Sequence, residues 1–145
     1  MGTRYISIVA TVVLTIAATV LVLRRGLLAT GPISASLQVA GVLLMIWARF
    51  TFGVRSFHYA ANPTQGGLVT SGPYRYIRNP IYAAAWLIIW VGVAVHWSLP
   101  NACLGVVIAA GLALRIACEE QLLRAAYPEY EEYAKRTKRL VPFVI

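Results

Sequence analysis

Apolar residues gather into four runs, at 5–23, 32–48, 81–95 and 99–114, with almost no charge inside them. At roughly 1.5 Å of rise per helical residue each has the length to cross about 30 Å of hydrocarbon, the shorter ones only just. The pattern predicts an all-α integral membrane protein of four transmembrane helices, one domain over residues 1–145. The first run follows Arg4. It is longer than a signal-peptide core and no small-residue cleavage site follows it, so it is expected to remain as a span. Met1-Gly2 does not extend to a myristoylation signal, because Ile6 stands where Ser or Thr is needed.

The links between the runs differ in character. His96-Trp97-Ser98-Leu99-Pro100-Asn101 is a tight uncharged turn that makes the third and fourth spans a hairpin, with Trp97 suited to the interface. The link over 49–80 is far longer than a connection requires, and loops of that kind are usually functional. Its first part carries Phe50, Phe52, Phe57 and Tyr59, and reads as a continuation of the second span along the interface. Asn62-Pro63 breaks it, and Gly66-Gly67 permits a tight turn. Beyond the fourth run the helix is expected to continue through Glu119 and Glu120 to Tyr127-Pro128, since a residue preceding proline resists the helical conformation. Within the C-terminal region 117–145 an amphipathic helix then restarts, supported by Glu131 with Lys135 and Glu132 with Arg136. Tyr127, Tyr130 and Tyr133 are expected to line a face at headgroup level.

Composition agrees: the chain is 59% apolar and 12% charged, with a mean hydropathy of +0.69, outside the soluble globular range. The net charge of +8 does not indicate nucleic acid, because the bases follow topology. Of the 13 Lys and Arg residues, all but Arg24 and Arg25 fall on one side of a four-span arrangement. The positive-inside rule then places both termini and the 49–80 loop in the cytoplasm, with the basic patch toward anionic lipid headgroups. The expected location is a bacterial inner membrane. Cys103 and Cys118 lie about 22 Å apart along one helix, beyond disulfide reach. His58 and His96 sit at opposite ends of the topology, so no metal site is expected. Nothing calls for an oligomer.

The chemistry concentrates in Gly72-Pro73-Tyr74-Arg75-Tyr76-Ile77-Arg78-Asn79-Pro80-Ile81-Tyr82 and in Glu119-Glu120. Pro80 at the first turn of the third span leaves free N–H groups at a helix N-terminus, a seat for a carboxylate or phosphate. Arg78 adds charge-assisted bonds, and Tyr82 adds a hydroxyl and a ring one turn inside. The hairpin returns the glutamates to the same depth. Adjacent helical residues diverge by about 100°, so one carboxylate is expected to bind a ligand and the other to pair. Arg115 can occupy Glu119 and Arg124 can occupy Glu120 at i,i+4. Because Arg115 can occupy Glu119, Glu120 is the favoured ligand; the two pairings together make an ordinary salt-bridged helix end the bland alternative.

These pieces, together with Gly67-Leu68-Val69-Thr70, Tyr130-Glu131-Glu132-Tyr133 and Leu140-Val141-Pro142, resemble the isoprenylcysteine carboxyl methyltransferase and phospholipid methyltransferase group of integral membrane enzymes. The resemblance covers about half the chain, and the order of the pieces is more specific than any one of them. It implies S-adenosylmethionine held at the cytoplasmic face and a lipophilic acceptor arriving from the bilayer. It implies cofactor contacts at Gly67, Leu68, Val69, Thr70, Tyr74, Arg78, Asn79, Pro80, Tyr82, Glu119 and Glu120; it assigns no catalytic residue. Asn79, Ala84 and Phe143 depart from the family's usual His, Gly and Arg. An ammonium, a carboxylate, a base and a sulfonium call for an acid, a cation or helix N-terminus and an apolar slot, and the sequence supplies these. In-line methyl transfer can proceed by alignment and water exclusion. A sterol-reductase-like NADPH site, with a similar Tyr-Arg-x-x-Arg-x-Pro-x-Tyr pattern, and a non-catalytic membrane subunit are the competing expectations. Thiol, carboxylate, amine and other acceptors stay open.

Overall fold

Proline and serine set where the helices begin. Pro32 and Pro80 each occupy a first helical turn, where the missing N–H costs nothing and the fixed φ suits the helix. The Ser98 hydroxyl accepts from the Asn101 N–H at 3.3 Å and caps the fourth helix. A computed structural model describes residues 2–53 and 67–140. It contains α1 (Gly2–Leu23), α2 (Pro32–Phe52), α3 (Pro80–Val95), α4 (Leu99–Ala126) and α5 (Tyr130–Arg136), with a 3-10 turn at Gly72–Arg75 before α3. Among the described residues there is no strand beyond one parallel bridge between Ile77 and Lys138.

Three helices, α1, α2 and α4, are long and apolar enough to cross a membrane. The expected count of four spans rests on α3, which is apolar but shorter, 16 residues or about 24 Å of helix. The α1–α2 connection folds back against that short helix. α1 stops with Arg25 in the left-handed region at φ 56°, while Gly26 N–H reaches the Leu21 carbonyl at 2.9 Å and Arg25 N–H reaches Val22 at 2.8 Å, a Schellman closure. Gly92 of α3 lies so close beneath this connection that a Cβ there would overlap the Leu27 carbonyl oxygen.

Irregular backbone at this depth requires internal partners. Gln38 of α2 provides them, donating to the carbonyls of Leu27 at 2.7 Å and Ile88 at 2.9 Å while accepting from Ala29 N–H at 2.9 Å. The 96–98 turn adds a His96 ring contact to the Leu28 carbonyl at 2.8 Å.

α1 packs along α4 and α2 along α3, and a smaller α3–α4 seam joins the two pairs. The α1–α4 approach uses Gly111, where a Cβ would lie 2.8 Å from Leu14 Cγ. Ala17, Leu21, Val93, Ile108 and Leu112 form the buried centre. The outward faces of α1 and α2 carry large apolar side chains such as Val12, Ile16, Val39 and Leu43, as a lipid-facing surface requires. α4 runs on to Ala126 and breaks at Tyr127-Pro128, as the sequence predicts. α2 extends to Phe52; Phe57, His58, Tyr59, Asn62, Pro63 and Gly66 lie outside the described residues, and Gly67 has φ 88°.

Candidate functional site

The ends of α3 and α4 carry opposite charges to the same level, and two separate networks result. In the first, Glu120 is almost fully buried and both its oxygens are engaged. Oε1 accepts from Arg78 Nε at 3.0 Å, Asn79 Nδ2 at 3.1 Å and Arg139 Nε at 3.2 Å. Oε2 accepts from Arg139 Nη2 at 2.8 Å, with Arg124 Nη2 at 3.9 Å. Arg78 continues the network, donating from Nη1 to the carbonyls of Thr137 at 2.6 Å and Ala134 at 3.1 Å. Arg78 N–H also donates to the Lys138 carbonyl at 2.8 Å and Lys138 N–H to Tyr76 at 3.0 Å. Glu120 therefore clasps the segment after α5 onto the start of α3.

The second network faces a cavity. Glu119 Oε1 accepts from Arg115 Nη2 at 2.8 Å and from the Tyr82 hydroxyl. Arg115 also donates from Nε to the Tyr82 oxygen at 3.0 Å and from Nη1 to Thr11 Oγ1 on α1. Both contacts to Glu119 use Oε1, and its side chain is 26% exposed. An ammonium can be accepted at Oε2.

The cavity encloses about 480 Å³, in the range of small-molecule sites. Its polar end is formed by Arg49, Tyr74, Arg78, Asn79, Glu119, Tyr127, Tyr130 and Tyr133, with Gly67, Leu68, Val69 and Phe52 beside them. From there it continues between α1, α3 and α4 as an apolar arm walled by Leu14, Ala18, Ala85, Ile89, Ile108 and Leu112. The Phe52 and Tyr74 rings lie 5.6 Å apart, tilted by 44°, and the Tyr133 hydroxyl donates to the Tyr74 carbonyl at 2.8 Å. Burial pushes the Tyr130 phenol up to about 12, with the nearby Glu120 charge adding to it. Burial also raises Tyr133 and Tyr74. These phenols are neutral at ordinary pH.

Of the residues expected at the site, Gly67, Leu68, Val69, Tyr74, Arg78, Asn79, Pro80, Tyr82 and Glu119 line this cavity. Thr70 lies instead on a separate recess with Arg75 and Arg136. Glu120 is not on the cavity wall. The two carboxylates diverge as adjacent helical positions must: Glu119 faces the cavity, whereas Glu120, the expected ligand, is engaged by Arg78 and Arg139 from elements distant in sequence. The tyrosines of the C-terminal region also depart from expectation: Tyr130 and Tyr133 are buried and turn inward to the cavity. Glu132 pairs with Arg136 at 3.9 Å, whereas Glu131 turns to Arg124 at 2.7 Å. Thr11, Arg49 and Arg115 were not expected on the wall. An arginine inside an apolar helix was the available signal for Arg115; Thr11 offered none.

Among the described residues no group of three or more His, Cys, Asp or Glu side chains could hold a metal ion. Cys103 and Cys118 are both free thiols.

Comparison with known proteins matches residues 30–130 to the phospholipid methyltransferase family. The chain is 32% identical over 112 residues to "Cobalt-zinc-cadmium resistance protein CzcN" of Cupriavidus metallidurans, covering 77% of this chain and 50% of that protein. It is 31% identical over 112 residues to "Nickel-cobalt-cadmium resistance protein NccN" of Alcaligenes xylosoxydans xylosoxydans, covering 76% of this chain and 52% of that protein. The chain thus spans about half the length of these curated relatives. No solved structure matches it. A family match across α2, α3 and α4, the helices that carry Arg49, Tyr82 and Glu119, means that this chain belongs to the phospholipid methyltransferase family.

Proposed function

We propose that the protein is an S-adenosylmethionine-dependent methyltransferase acting on a lipophilic, membrane-partitioning acceptor. The observation that carries this reading is a single cavity in which Glu119, the start of α3 and an apolar arm meet. The donor, when bound, supplies an electrophilic methyl on a sulfonium. The residues fit its other groups. Glu119 Oε2 suits the ammonium, and the α3 N-terminus with Arg78 suits the carboxylate. Tyr74 and Tyr130 provide aromatic walls for an adenine beside Gly67, Leu68 and Val69. Tyr82 and Arg115 fix Glu119 in place, so little reorganisation accompanies binding.

The apolar arm is the place for the acceptor's hydrophobic portion. The arm is walled by side chains of α1, α3 and α4, and in this reading an acceptor dissolved in the bilayer enters it between those helices. The site faces the cytoplasm in this reading, with α3 as a fourth, short span and Arg24-Arg25 on the opposite side. A cytosolic donor then reaches its seat without crossing lipid. The relatives' names concern resistance to metal ions; applied to this chain, they suggest a physiological setting in which the acceptor is to be sought.

Calorimetry on purified protein in detergent tests the reading against the reductase alternative. S-adenosylmethionine and S-adenosylhomocysteine should give saturable heats and NADPH none. A clear NADPH heat with none for the sulfonium compound overturns it.

A further inference from the structure

Three helices wall the apolar arm, and each gives it the same depth. Arg115 of α4 donates to the Tyr82 oxygen of α3 and to Thr11 Oγ1 of α1, so these three wall residues lie at one level. The deepest wall residues on the same helices are Ile108, Ile89 and Ala18. From Thr11 to Ala18, from Tyr82 to Ile89 and from Arg115 back to Ile108 the separation is seven residues each time, about 10 Å of helix.

Below that depth the arm ends on packed core. Ala18 and Ile89 rest against a cluster that contains Ile108 together with Leu21 and Val93, both fully buried. A Cβ at Gly105 of α4 would come within 3.3 Å of Val93 Cγ2, and one at Gly26 within 2.8 Å of Leu21 Cδ1. α4 and the connection after α1 therefore close over those two side chains. Room inside the arm comes from Ala18 and Ala85, single methyl groups on a wall otherwise made of leucine and isoleucine. The whole cavity encloses about 480 Å³, the range of one drug-sized ligand, and in the proposed reaction its polar end also houses the donor.

Resting on the methyltransferase reading, we infer that the acceptor is a small lipophile whose apolar group enters the arm end-on and is no longer than about eight carbons, the extended length that fits about 10 Å. Ala18 and Ile89 set that limit. An acyl or prenyl tail of about sixteen carbons, roughly 20 Å when extended, does not fit lengthwise.

The test measures the arm with unreactive probes: the straight-chain alcohols from butanol to dodecanol. Radiolabelled alcohols are dialysed against the full chain in nanodiscs saturated with S-adenosylhomocysteine, with empty nanodiscs as the blank and affinities referred to the free aqueous alcohol. Each carbon that enters the arm should tighten saturable binding by about fourfold. The rise should stop near octanol, with less than about twofold gained from there to dodecanol. Ala18→Leu fills the far end and should move the break roughly three carbons shorter; Ile89→Ala opens it and should move the break longer by a similar amount. Binding of S-adenosylhomocysteine by each variant reports that the polar end is intact, and the wild-type series decides on its own if a variant does not fold. A rise that continues unbroken to dodecanol, as when a tail leaves sideways between the helices, overturns the inference. So does a break that neither folded variant moves, or the lack of saturable binding by any alcohol. Failure of the wild type to bind S-adenosylhomocysteine overturns the methyltransferase reading beneath it.

Discussion

Replacing each member of Glu119-Glu120 by glutamine separates the two networks, because the shapes are kept and one charge is lost. Glu120 is 1% exposed and is reached by Arg78, Asn79 and Arg139. Glu120→Gln leaves Arg78, only 13% exposed, facing a neutral amide. Breaking a buried pair by removing one partner costs about 3–5 kcal/mol. With roughly 2–4 °C per kcal/mol for a chain of this size, the thermal transition should fall by roughly 6–20 °C.

The segment at 137–140 should also come away from α3, since Arg139 loses its partner. Glu119→Gln is different: Arg115, only 10% exposed, keeps the Tyr82 hydroxyl and Thr11 Oγ1 as well as the new amide oxygen as acceptors, so the loss in stability should be smaller, about 1–3 kcal/mol. Its effect should appear in S-adenosylhomocysteine affinity, where loss of a charged hydrogen bond of about 1.5–3 kcal/mol corresponds to roughly 10–150-fold. Differential scanning fluorimetry and calorimetry on the two purified variants read both quantities. A Glu120→Gln protein that melts like the wild type, or a Glu119→Gln protein that binds normally while Glu120→Gln at equal stability does not, refutes this division of roles.

Gly92→Ala should fail to give a stable protein in detergent, because its Cβ meets the Leu27 carbonyl oxygen, which is backbone and cannot rotate away; size-exclusion profiles and melting curves would reveal it, and wild-type behaviour would mean the 24–31 connection does not pack there. Tyr130 should ionise near pH 12 by ultraviolet absorbance, against an ordinary 10. Because the folded protein resists losing this proton more than the unfolded chain does, the contribution is whole below pH 10 and is lost as pH rises toward 12; Tyr130→Phe should flatten stability across that window. For topology, single cysteines at Gly66, Ser98 and Ile145 in a background lacking Cys103 and Cys118 should be labelled by an impermeant reagent in intact cells at Ser98 alone; labelling at Gly66 or Ile145 but not Ser98 inverts the orientation.

What the sequence made legible was periodic or local. Apolar runs fixed α1, α2, α3 and α4, and prolines at 32, 80 and 128 marked starts and a break, because helix signals act within a turn or two of the residue that carries them. The neighbourhood of Tyr82 and Glu119 followed from a short hairpin returning the chain to its starting depth. Contacts between elements distant in sequence were not legible. Arg139 reaching Glu120, Thr11 reaching Arg115 and the inward turn of Tyr130 and Tyr133 depend on how the segment after Pro128 folds back and how α1 lies against α4. The i,i+4 rule pointed correctly to Arg115 with Glu119 at 2.8 Å. It did not show the other partners of Glu120, which come from the start of α3 and from beyond α5.

The central claim is that Glu119 and the start of α3 jointly seat the methyl donor. An experimental structure with S-adenosylhomocysteine bound tests this most directly. The account predicts density at the polar end of the cavity, with the ligand's ammonium within hydrogen-bonding distance of Glu119 Oε2, its carboxylate at the N-terminus of α3, and the apolar arm left unfilled by the ligand. Density bound instead against Glu120, or outside this cavity with Glu119 and Tyr82 untouched, would contradict it.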